Sequence, residues 1–378
     1  MNVDDYRAEV RRVIAGFVPG MASWEEDGHL PRELFHGLAA AGAFRERWAQ
    51  GPVGGLPLAR VLVEELAVHN GGAALAVSLH SEVFLHALHR AGGQEEIVEG
   101  ALDGSVIGCA AVTEPGAGSD VPAVTTSARR EGDRWRLTGT KCLITNAGRA
   151  THALVLARTG DARSFGLFVV PLSGVTPTRF VPTLGVRSAD TAVLDLDVTV
   201  PGTALVGNPR AGLVQLLRVL DFERLAAASG LVATARAAMA LALAHMRDRT
   251  AFSARLFDHQ VLRHRMAWHW ARVSAAAALL DAAMTPGPGG EVSHPAAAAA
   301  KLVAARDCAD AVDAALQAFG GRGYTEDFPL ARMYRDVRLT RIGGGTDEML
   351  CEVIAANLDA DDSLSATLVR GIAERGGW

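Results

Sequence analysis

Two glycine-rich segments in the last part of the sequence leave stretches of backbone without side chains. RIGGGTDEML (341–350) has three consecutive glycines before Thr346, and QAFGGRGYTEDF (317–328) repeats the pattern. Glycine runs cost backbone entropy, so they indicate positive φ or the close approach of a ligand. The triple glycine holds no reactive side chain, so a reactive group near it has to come from another part of the chain.

A third glycine-rich segment, VTEPGAGSDV (112–121), combines a tight turn with two hydroxyl groups, those of Thr113 and Ser119. A loop of this kind presents backbone N–H groups and can hold a phosphate or the edge of a flavin. Most such turns, taken alone, are only turns. The motif therefore needs support from the rest of the chain.

The elements that would position these segments follow an α–β–α order. Helical periodicity dominates the first hundred or so residues, short β-rich runs begin near Ser105, and helical periodicity returns near Ala211. One half-buried strand is indicated by the alternating residues Leu194, Leu196, Val198 and Val200. We predict an α+β multidomain fold: an N-terminal α-helical domain (1–104), a central β-barrel or sandwich domain (105–210) and a C-terminal four-helix bundle (211–378).

One long helix of the last domain is indicated by a stripe of apolar residues. The stripe steps by three or four positions and comprises Leu262, Met266, Trp270, Val273, Ala277 and Leu280. Such a stripe predicts a buried helix face, with Trp270 in the core of the bundle. The alanine-rich sequence around it predicts close helix packing, which could include contacts between subunits.

Composition and charge narrow the class of protein. The chain has 378 residues, 49% of them hydrophobic and 21% charged, and a net charge of −5. This balance argues against nucleic acid or an anionic membrane as a partner. Four separated cysteines, scattered histidines and an N-terminus without a secretory signal predict a cytoplasmic protein with no metal site.

Five ordered motifs together resemble the acyl-CoA dehydrogenase family of flavoproteins. They are TEPGAGSD (113–120), GTKCLITNAG (139–148), RTAFSARLFDHQ (249–260), QAFGGRGY (317–324) and YRDVRLTRIGGGTDE (334–348). The resemblance covers residues 30 to 357 and includes the α–β–α order. It implies an FAD cofactor and the α,β-dehydrogenation of an acyl thioester carried by coenzyme A or an acyl carrier protein.

The resemblance also implies which residues contact the flavin in the same subunit. Thr113 and Ser119 match positions near the flavin and the pyrophosphate, and Thr145 matches a position at the isoalloxazine edge. Thr346 and Glu348 match positions near the adenine-side phosphates and ribose. The triple glycine would then lie with its backbone against flavin and thioester.

A second set of positions belongs, by the same resemblance, to the flavin of a neighbouring subunit. These residues are Arg249, Phe252, Gln317 and Gly321. Sharing a flavin between subunits implies a homo-oligomer, a tetramer or a dimer. The family further implies an electron-transfer flavoprotein as a possible electron acceptor.

The expected catalytic base is absent from its usual place. Removal of the weakly acidic α-proton of a thioester needs a desolvated carboxylate within hydrogen-bond reach. Most of the family supplies it from a Tyr-Glu-Gly-Thr motif, and the matching stretch here is Gly343-Gly344-Gly345-Thr346. Gly344 cannot abstract a proton, although its N–H can still donate to the thioester oxygen.

Glu223, in VLDFERLAAASG (219–230), is the substitute that the resemblance offers. In a minority of relatives, including isovaleryl-CoA dehydrogenases, the base is a glutamate just before an arginine in this segment, and Glu223-Arg224 fits that pattern. Glu223 would act as the base, with hydride passing to flavin N5, and Arg224 would support the charge balance at the substrate. The simpler interpretation is a solvated glutamate beside an arginine on a helix surface.

Two alternatives to the dehydrogenase stay open from sequence. The motif Lys-x-Trp-Ile-Thr-Asn of the family reads Lys141-Cys142-Leu143-Ile144-Thr145-Asn146 here, so Leu143 replaces an aromatic residue beside the flavin. Leu143 and Gly344 leave room for a flavin-dependent oxidase or monooxygenase, or for a non-catalytic flavin-binding homologue. We expect a short or branched acyl substrate and a role in secondary metabolism.

Overall fold

The computed structural model describes residues 1–160, 164–175, 177–287 and 289–358. The chain begins with nine helices that end at Asp103. They are α1 (Val3–Phe17), α2 (Met21–Asp27), α3 (Arg32–Ala40), α4 (Ala43–Ala49), α5 (Gly51–Gly54), α6 (Leu56–Ala67), α7 (Gly71–Ser78), α8 (His86–Ala91) and α9 (Glu95–Asp103). A π-helical segment, Leu79–Leu85, joins α7 to α8. The Asn70 side chain caps α7 by accepting a hydrogen bond from the Ala73 N–H.

Eight strands follow between Gly108 and Val206. They are β1 (Gly108–Ala111), β2 (Ser127–Glu131), β3 (Arg134–Ile144), β4 (His152–Arg158), β5 (Phe165–Pro171), β6 (Arg179–Phe180), β7 (Ala192–Pro201) and β8 (Leu205–Val206). They hydrogen-bond in the order β6-β7-β3-β2-β4-β5-β8, with β1 parallel to β4. Along β7 the predicted alternation is confirmed, because Leu194, Leu196 and Val200 are buried while Asp195 and Asp197 are exposed.

The last domain is again helical. It comprises α10 (Gly212–Asp248), a short hairpin of β9 (Thr250–Ala251) and β10 (Ala254–Arg255), α11 (Gln260–Met284), α12 (His294–Phe319), α13 (Pro329–Leu339) and α14 (Asp347–Ala355). Helices α10, α11 and α12 pack around fully buried alanines such as Ala238, Ala242 and Ala304. Small side chains let the helix axes approach closely. The predicted α–β–α fold is confirmed.

The buried stripe on α11 was predicted with one error. Met266, Val273, Ala277 and Leu280 are buried, whereas Trp270 is 63% exposed. At 100° per residue, position 270 falls at the edge of the buried face, because the alanines at 276 and 283 shift its centre to the other side. The indole therefore lies on the surface of a single chain.

Helix α10 contains the segment VLDFERLAAASG (219–230) and places Glu223 in the interior. By length and composition it could cross a membrane, but 67% of its most apolar window is buried inside the protein. It packs against α6 of the first domain as well as against α11 and α12. The high hydropathy of α10 is thus that of a central core helix.

Candidate active site

A cleft lies between the N-terminal helices and the C-terminal bundle. Its walls come mainly from α6, α7, α10 and α13. Most of the lining is small or apolar, including Val63, Ala67, Ala74, Leu75, Ala227 and Leu231. A cleft of this composition suits a hydrocarbon chain better than a polar ligand.

Glu223 places a carboxylate in this cleft. The residue is only 5% exposed, and its Oε2 atom has no hydrogen-bond partner among the described residues. Burial raises the pKa of Glu223, although the positive charges of Lys301 and Arg224 act in the opposite direction. A buried carboxyl without donors is a more basic group than a solvated one, which is the property that a proton-abstracting residue needs.

Gly344 lies directly against this carboxylate. A Cβ atom built on Gly344 would come within 2.5 Å of Glu223 Oε2, and the backbone there has φ of +68°. Both observations exclude a larger residue at 344 while Glu223 keeps its position. The Gly344 N–H donates no hydrogen bond to the described part of the chain, so it is free to serve a ligand.

Two cations hold the triple-glycine loop by its carbonyl groups. Arg224 Nε donates to the Gly344 oxygen at 3.0 Å, and Lys301 Nζ donates to the Gly345 oxygen at 2.7 Å. Arg224 and Lys301 are both buried, at 4% and 0% exposure. The two residues of the predicted pair therefore have different roles. The Glu223 carboxylate faces the cleft, and the Arg224 guanidinium binds the glycine loop.

Asp221, the nearest other carboxylate on α10, has a different set of contacts. Its Oδ1 accepts from Arg224 NH1 at 2.9 Å and lies 2.7 Å from His294 Nδ1. Burial raises its pKa, while the charges of His294 and Arg224 oppose that shift. Asp221 orients Arg224 and is already occupied, so it is a weaker candidate for the base than Glu223.

The predicted flavin loop of the β domain (112–121) is held in place by the buried side chain of Glu114. Glu114 accepts hydrogen bonds from Lys141 Nζ at 2.8 Å and from the backbone N–H groups of Thr125 and Thr126. Thr113 is partly buried next to this anchor, and Ser119 is exposed at the end of the loop. The anchor leaves the two predicted hydroxyl groups outside the core.

Strand β3 ends in a distorted backbone where the family motif continues. Thr145 is nearly buried, but Leu143 is 57% exposed with φ of +58°. A branched residue in the left-handed region is uncommon and indicates a local constraint. The register of β3 against β7 shifts at this point, between Lys141 and Ile144.

Four predicted flavin residues lie at the opposite end of the bundle from Glu223. Arg249 and Phe252 follow α10, and Gln317 and Gly321 lie at the end of α12; all four are exposed. Stacking of His245 on Phe319, with ring centroids 4.4 Å apart, brings these two ends together. Along α10, at 1.5 Å per residue, Arg249 is roughly 39 Å from Glu223.

The hairpin at that end presents an unusual side chain. Phe252 is 94% exposed, and both Phe252 and Ser253 have positive φ, at 52° and 64°. Neither the positive φ nor the exposure of Phe252 stabilises a single chain, so this side chain indicates a contact outside it.

Thr346 and Glu348 lie where α14 begins. The Thr346 side chain accepts a hydrogen bond from the Met349 N–H and caps the helix. Glu348 is exposed in the first turn. Carboxylates and hydroxyls at such a position are typical helix caps, so these two residues have a structural role whether or not a nucleotide lies beside them.

Sequence reasoning missed Lys301, His294 and the helices that wall the cleft. Lys301 has one sequence signal: of the 37 lysine and arginine residues, only Lys141 and Lys301 are lysines. The cleft walls had no comparable signal, because their residues are those of any apolar helix face.

Comparisons with known proteins agree with this architecture. Residues 3–98, 109–198 and 210–358 match the N-terminal, middle and C-terminal domains of acyl-CoA dehydrogenase. The chain is 34% identical to the acyl-[acyl-carrier-protein] dehydrogenase MbtN of Mycolicibacterium paratuberculosis, over 95% of each chain. It is 30% identical to the long-chain specific acyl-CoA dehydrogenase of Sus scrofa, over 95% of this chain and 86% of that one.

Solved structures lead to the same class of protein. Butyryl-CoA dehydrogenase from Megasphaera elsdenii superposes with a TM-score of 0.88 at 26% identity, over 94% of this chain and 98% of that one. A glutaryl-CoA dehydrogenase from Mycobacterium smegmatis, solved with FADH2, has a TM-score of 0.86 at 25% identity, over 94% of each chain. The chain belongs to the acyl-CoA dehydrogenase family, which confirms the resemblance drawn from the five motifs.

The structure fits the flavin that this family membership implies. The loop that Glu114 anchors leaves the hydroxyl group of Ser119 exposed and that of Thr113 partly exposed, beside glycines whose backbone N–H groups carry no side chain. Hydroxyl and backbone groups of this kind are typical of a site for a phosphate-bearing cofactor.

Proposed function

We propose that this acyl thioester dehydrogenase binds FAD and uses Glu223 as its catalytic base. The observation that carries the proposal is the unpartnered, buried carboxylate of Glu223 in an apolar cleft beside the free N–H of Gly344. The carboxylate takes the α-proton of the thioester. The N–H donates to the thioester oxygen, where negative charge develops as the proton leaves.

FAD, when bound, supplies the acceptor for the hydride that leaves the β-carbon. Thr113, Ser119 and Thr145 would hold it on the β-domain side, and Thr346 and Glu348 at the start of α14. Apolar walls exclude water from the Glu223 carboxylate, which keeps it basic. Arg224 holds the Gly344 carbonyl, so the peptide unit that joins Gly344 to Gly345 keeps a fixed direction.

The acyl group lies along α10 from Glu223 outward, and the short or branched group expected from sequence fills only the first part of this stretch. Glu223, Ala227, Leu231 and Thr234 follow one face of α10 along the cleft. At about 1.5 Å per residue this stretch spans roughly 16 Å, about the length of an extended chain of a dozen carbons. Beside it the walls are lined mostly by small and apolar residues, which suits a hydrocarbon chain.

The carrier of the acyl group is an acyl carrier protein. Support comes from relatives named acyl-[acyl-carrier-protein] dehydrogenase MbtN, which are 30–34% identical over at least 95% of this chain. Coenzyme A is the competing carrier, since other relatives are named acyl-CoA dehydrogenases. A role in secondary metabolism fits the first carrier.

A homo-oligomer completes the flavin site. Arg249 and Phe252 lie roughly 39 Å from Glu223 along α10, too far to serve the same active site of one chain. A second copy would bring them to the flavin, which gives the exposed Phe252 and Trp270 a role at subunit contacts.

An electron-transfer flavoprotein is the proposed electron acceptor, and the cytoplasm the proposed location. One similar chain, at 26% identity over 95% of this chain, comes from a structure described as the electron transferring flavoprotein of Acidaminococcus fermentans. All four cysteines are free thiols, which fits a reducing compartment.

The first test compares wild type with Glu223→Gln in anaerobic mixing with acyl thioesters. We expect the variant to retain yellow FAD but to reduce it at least about 1,000-fold more slowly, because the amide cannot accept the proton. Flavin absorbance measures both properties. Undiminished reduction by Glu223→Gln would remove the assignment of the base.

The same mixing experiment separates the alternatives. Reduction by a thioester followed by slow reoxidation in air supports the dehydrogenase, whereas rapid reoxidation supports an oxidase or monooxygenase. No bleaching by any thioester would support the non-catalytic homologue. Pairing each acyl group on coenzyme A and on a carrier protein identifies the carrier.

The second test places leucine at two depths of the cleft. Ala227 lies one turn from Glu223, and Thr234 lies roughly 16 Å along the helix. We expect Ala227→Leu to lower kcat/KM about tenfold or more for all but the shortest chains, and Thr234→Leu to do so only for chains longer than about ten carbons. Equal effects of the two variants on every chain length would contradict the proposed direction of the acyl chain.

A further inference from the structure

The two lysines of this chain occupy unusual positions. Among 37 lysine and arginine residues only Lys141 and Lys301 are lysines, and both are fully buried. Each donates through Nζ to a backbone carbonyl of a loop at the candidate active site, Val112 in one case and Gly345 in the other. A compact ammonium with three donors suits such a position better than the planar guanidinium used elsewhere in the chain.

Lys301 of α12 binds the triple-glycine loop at the candidate active site. It donates to the Gly345 carbonyl at 2.7 Å, while Arg224 donates to the preceding carbonyl, that of Gly344, at 3.0 Å. Because a peptide unit is planar and trans, holding a carbonyl on one side directs the following N–H to the other side. Two consecutive peptides are thereby fixed in a stretch where both glycines have positive φ, at 68° and 103°.

We propose that Lys301 is a positioning residue for Glu223. It holds the glycine loop against the carboxylate, and its charge keeps that carboxylate ionised although it makes no hydrogen bond. The proposal rests on the proposed function, in which Glu223 removes the substrate proton.

The other charged groups near Glu223 are paired with one another, so Lys301 is the cation left to act on its carboxylate. On α10, Arg224 is already paired with Asp221, which also contacts His294 of α12. From α14, Asp347 is bound by Arg306 and Arg341, and on α13 the cleft-lining Asp336 is bound by Arg332. No carboxylate lies within salt-bridge distance of Lys301 among the described residues, so its charge remains available to Glu223.

The expected protonation behaviour gives the proposal a measurable signature. Burial lowers the pKa of Lys301 to about 8, with Glu223 and Asp347 opposing that shift. Glu223 has to be deprotonated to act, so activity rises with pH through its pKa. As pH rises through about 8, Lys301 loses its charge and its hydrogen bond to the Gly345 carbonyl is no longer charge-assisted, so the hold on the glycine loop weakens and activity falls again. The wild type then has a bell-shaped profile.

The test measures the pH profile of anaerobic flavin reduction in Lys301→Met and Lys301→Arg. In Lys301→Met we expect the acidic limb to move up by about one pH unit or more and the descending limb near pH 8 to disappear. Lys301→Arg keeps its charge at all these pH values. It should therefore keep the acidic limb of the wild type while losing the descending one.

A second measurement follows the titration of the Lys301 amine itself and does not depend on catalysis. Protein labelled with 15N at lysine Nζ has only two side-chain signals to assign, and Lys301→Met identifies them. We expect the Lys301 amine to titrate at lower pH in Glu223→Gln than in wild type, by about one unit, because an attractive negative charge is removed. The Lys141 signal in the same two samples serves as the control, and its titration should be unchanged in Glu223→Gln.

The outcomes separate this inference from the proposed function. Unchanged titration of Lys301 in Glu223→Gln, or an unchanged pH profile in Lys301→Met, overturns the role of Lys301. Full activity of Glu223→Gln would instead overturn the proposed base, whereas the amine titration would still report whether Lys301 and Glu223 interact.

Discussion

Two buried glutamates, each near a buried lysine, have opposite properties in this protein. Glu114 in the β domain and Glu223 in the helical bundle are both 5% exposed. Glu114 receives four hydrogen bonds, from Lys141, Thr126 and two groups of Thr125, which together lower its pKa to about 2 despite burial. Glu223 receives none at Oε2, and burial raises its pKa. Hydrogen-bond donors, rather than burial or residue type, separate the structural carboxylate from the proposed base.

The two lysines differ in a parallel way. Lys141 Nζ contacts the Glu114 carboxylate directly at 2.8 Å, so both charges are consumed in one ion pair. Lys301 Nζ contacts a backbone carbonyl instead, and its charge acts on Glu223 without a hydrogen bond between them. The first pair fixes a loop, and the second leaves a carboxylate free to accept a proton.

The largest effect should follow from breaking the structural pair. Glu114→Ala leaves the Lys141 ammonium buried without its partner, which should lower the free energy of unfolding by about 3–5 kcal/mol and release bound flavin. Chemical denaturation and flavin absorbance measure the two effects. The double variant Glu114→Gln with Lys141→Met removes both charges and should lose clearly less; an equal loss would contradict the ion-pair argument.

The same pair predicts a response to acid. The pKa of Glu114 lies below its ordinary value, so its stabilising contribution is present above about pH 4.5 and is lost as pH falls toward about 2. The double variant lacks this contribution, and its stability should vary less over that range.

A smaller effect is expected from a second carboxylate beside Glu223. Gly344→Glu introduces a Cβ where only 2.5 Å is available to Glu223 Oε2, at a φ of +68°. We expect flavin reduction to slow about 100-fold and stability to fall by about 1–3 kcal/mol, because Glu223 is displaced and the backbone strained. Stopped-flow reduction and denaturation measure both.

The matched control for that variant is Glu223→Ala combined with Gly344→Glu. Removing the Glu223 side chain relieves the clash, so the double variant should be more stable than Gly344→Glu alone. A double variant that is equally unstable would show that strain at 344, rather than contact with Glu223, dominates.

The smallest effect on a single chain is expected at the hairpin tip. Phe252 is 94% exposed, so Phe252→Ala should change the unfolding free energy of one chain by no more than about 0.5 kcal/mol. If the tip contacts a second copy, flavin retention and oligomer affinity should weaken about tenfold. Analytical ultracentrifugation and flavin release measure this, with Leu184→Ala as an exposed control; equal behaviour of the two variants would argue against the contact.

Part of this architecture could be predicted from sequence because it depends on local periodicity. The alternation along β7 and the stripe on α11 identified both elements, and five ordered motifs identified the family. Trp270 was misassigned because a residue at the edge of a stripe is buried or exposed according to its neighbours, which periodicity does not specify.

The candidate active site likewise has features that could be predicted from sequence and features that depend on the fold. The resemblance drawn from the sequence predicted that Gly344 takes the place of the usual base and that Glu223 substitutes for it. Only the tertiary structure decided that the Glu223 carboxylate lacks a donor, that its space depends on the missing Cβ of Gly344, and that Lys301 binds the intervening loop. Hydrogen-bond partners and desolvation arise between residues far apart in the chain, so residue type and spacing do not determine them.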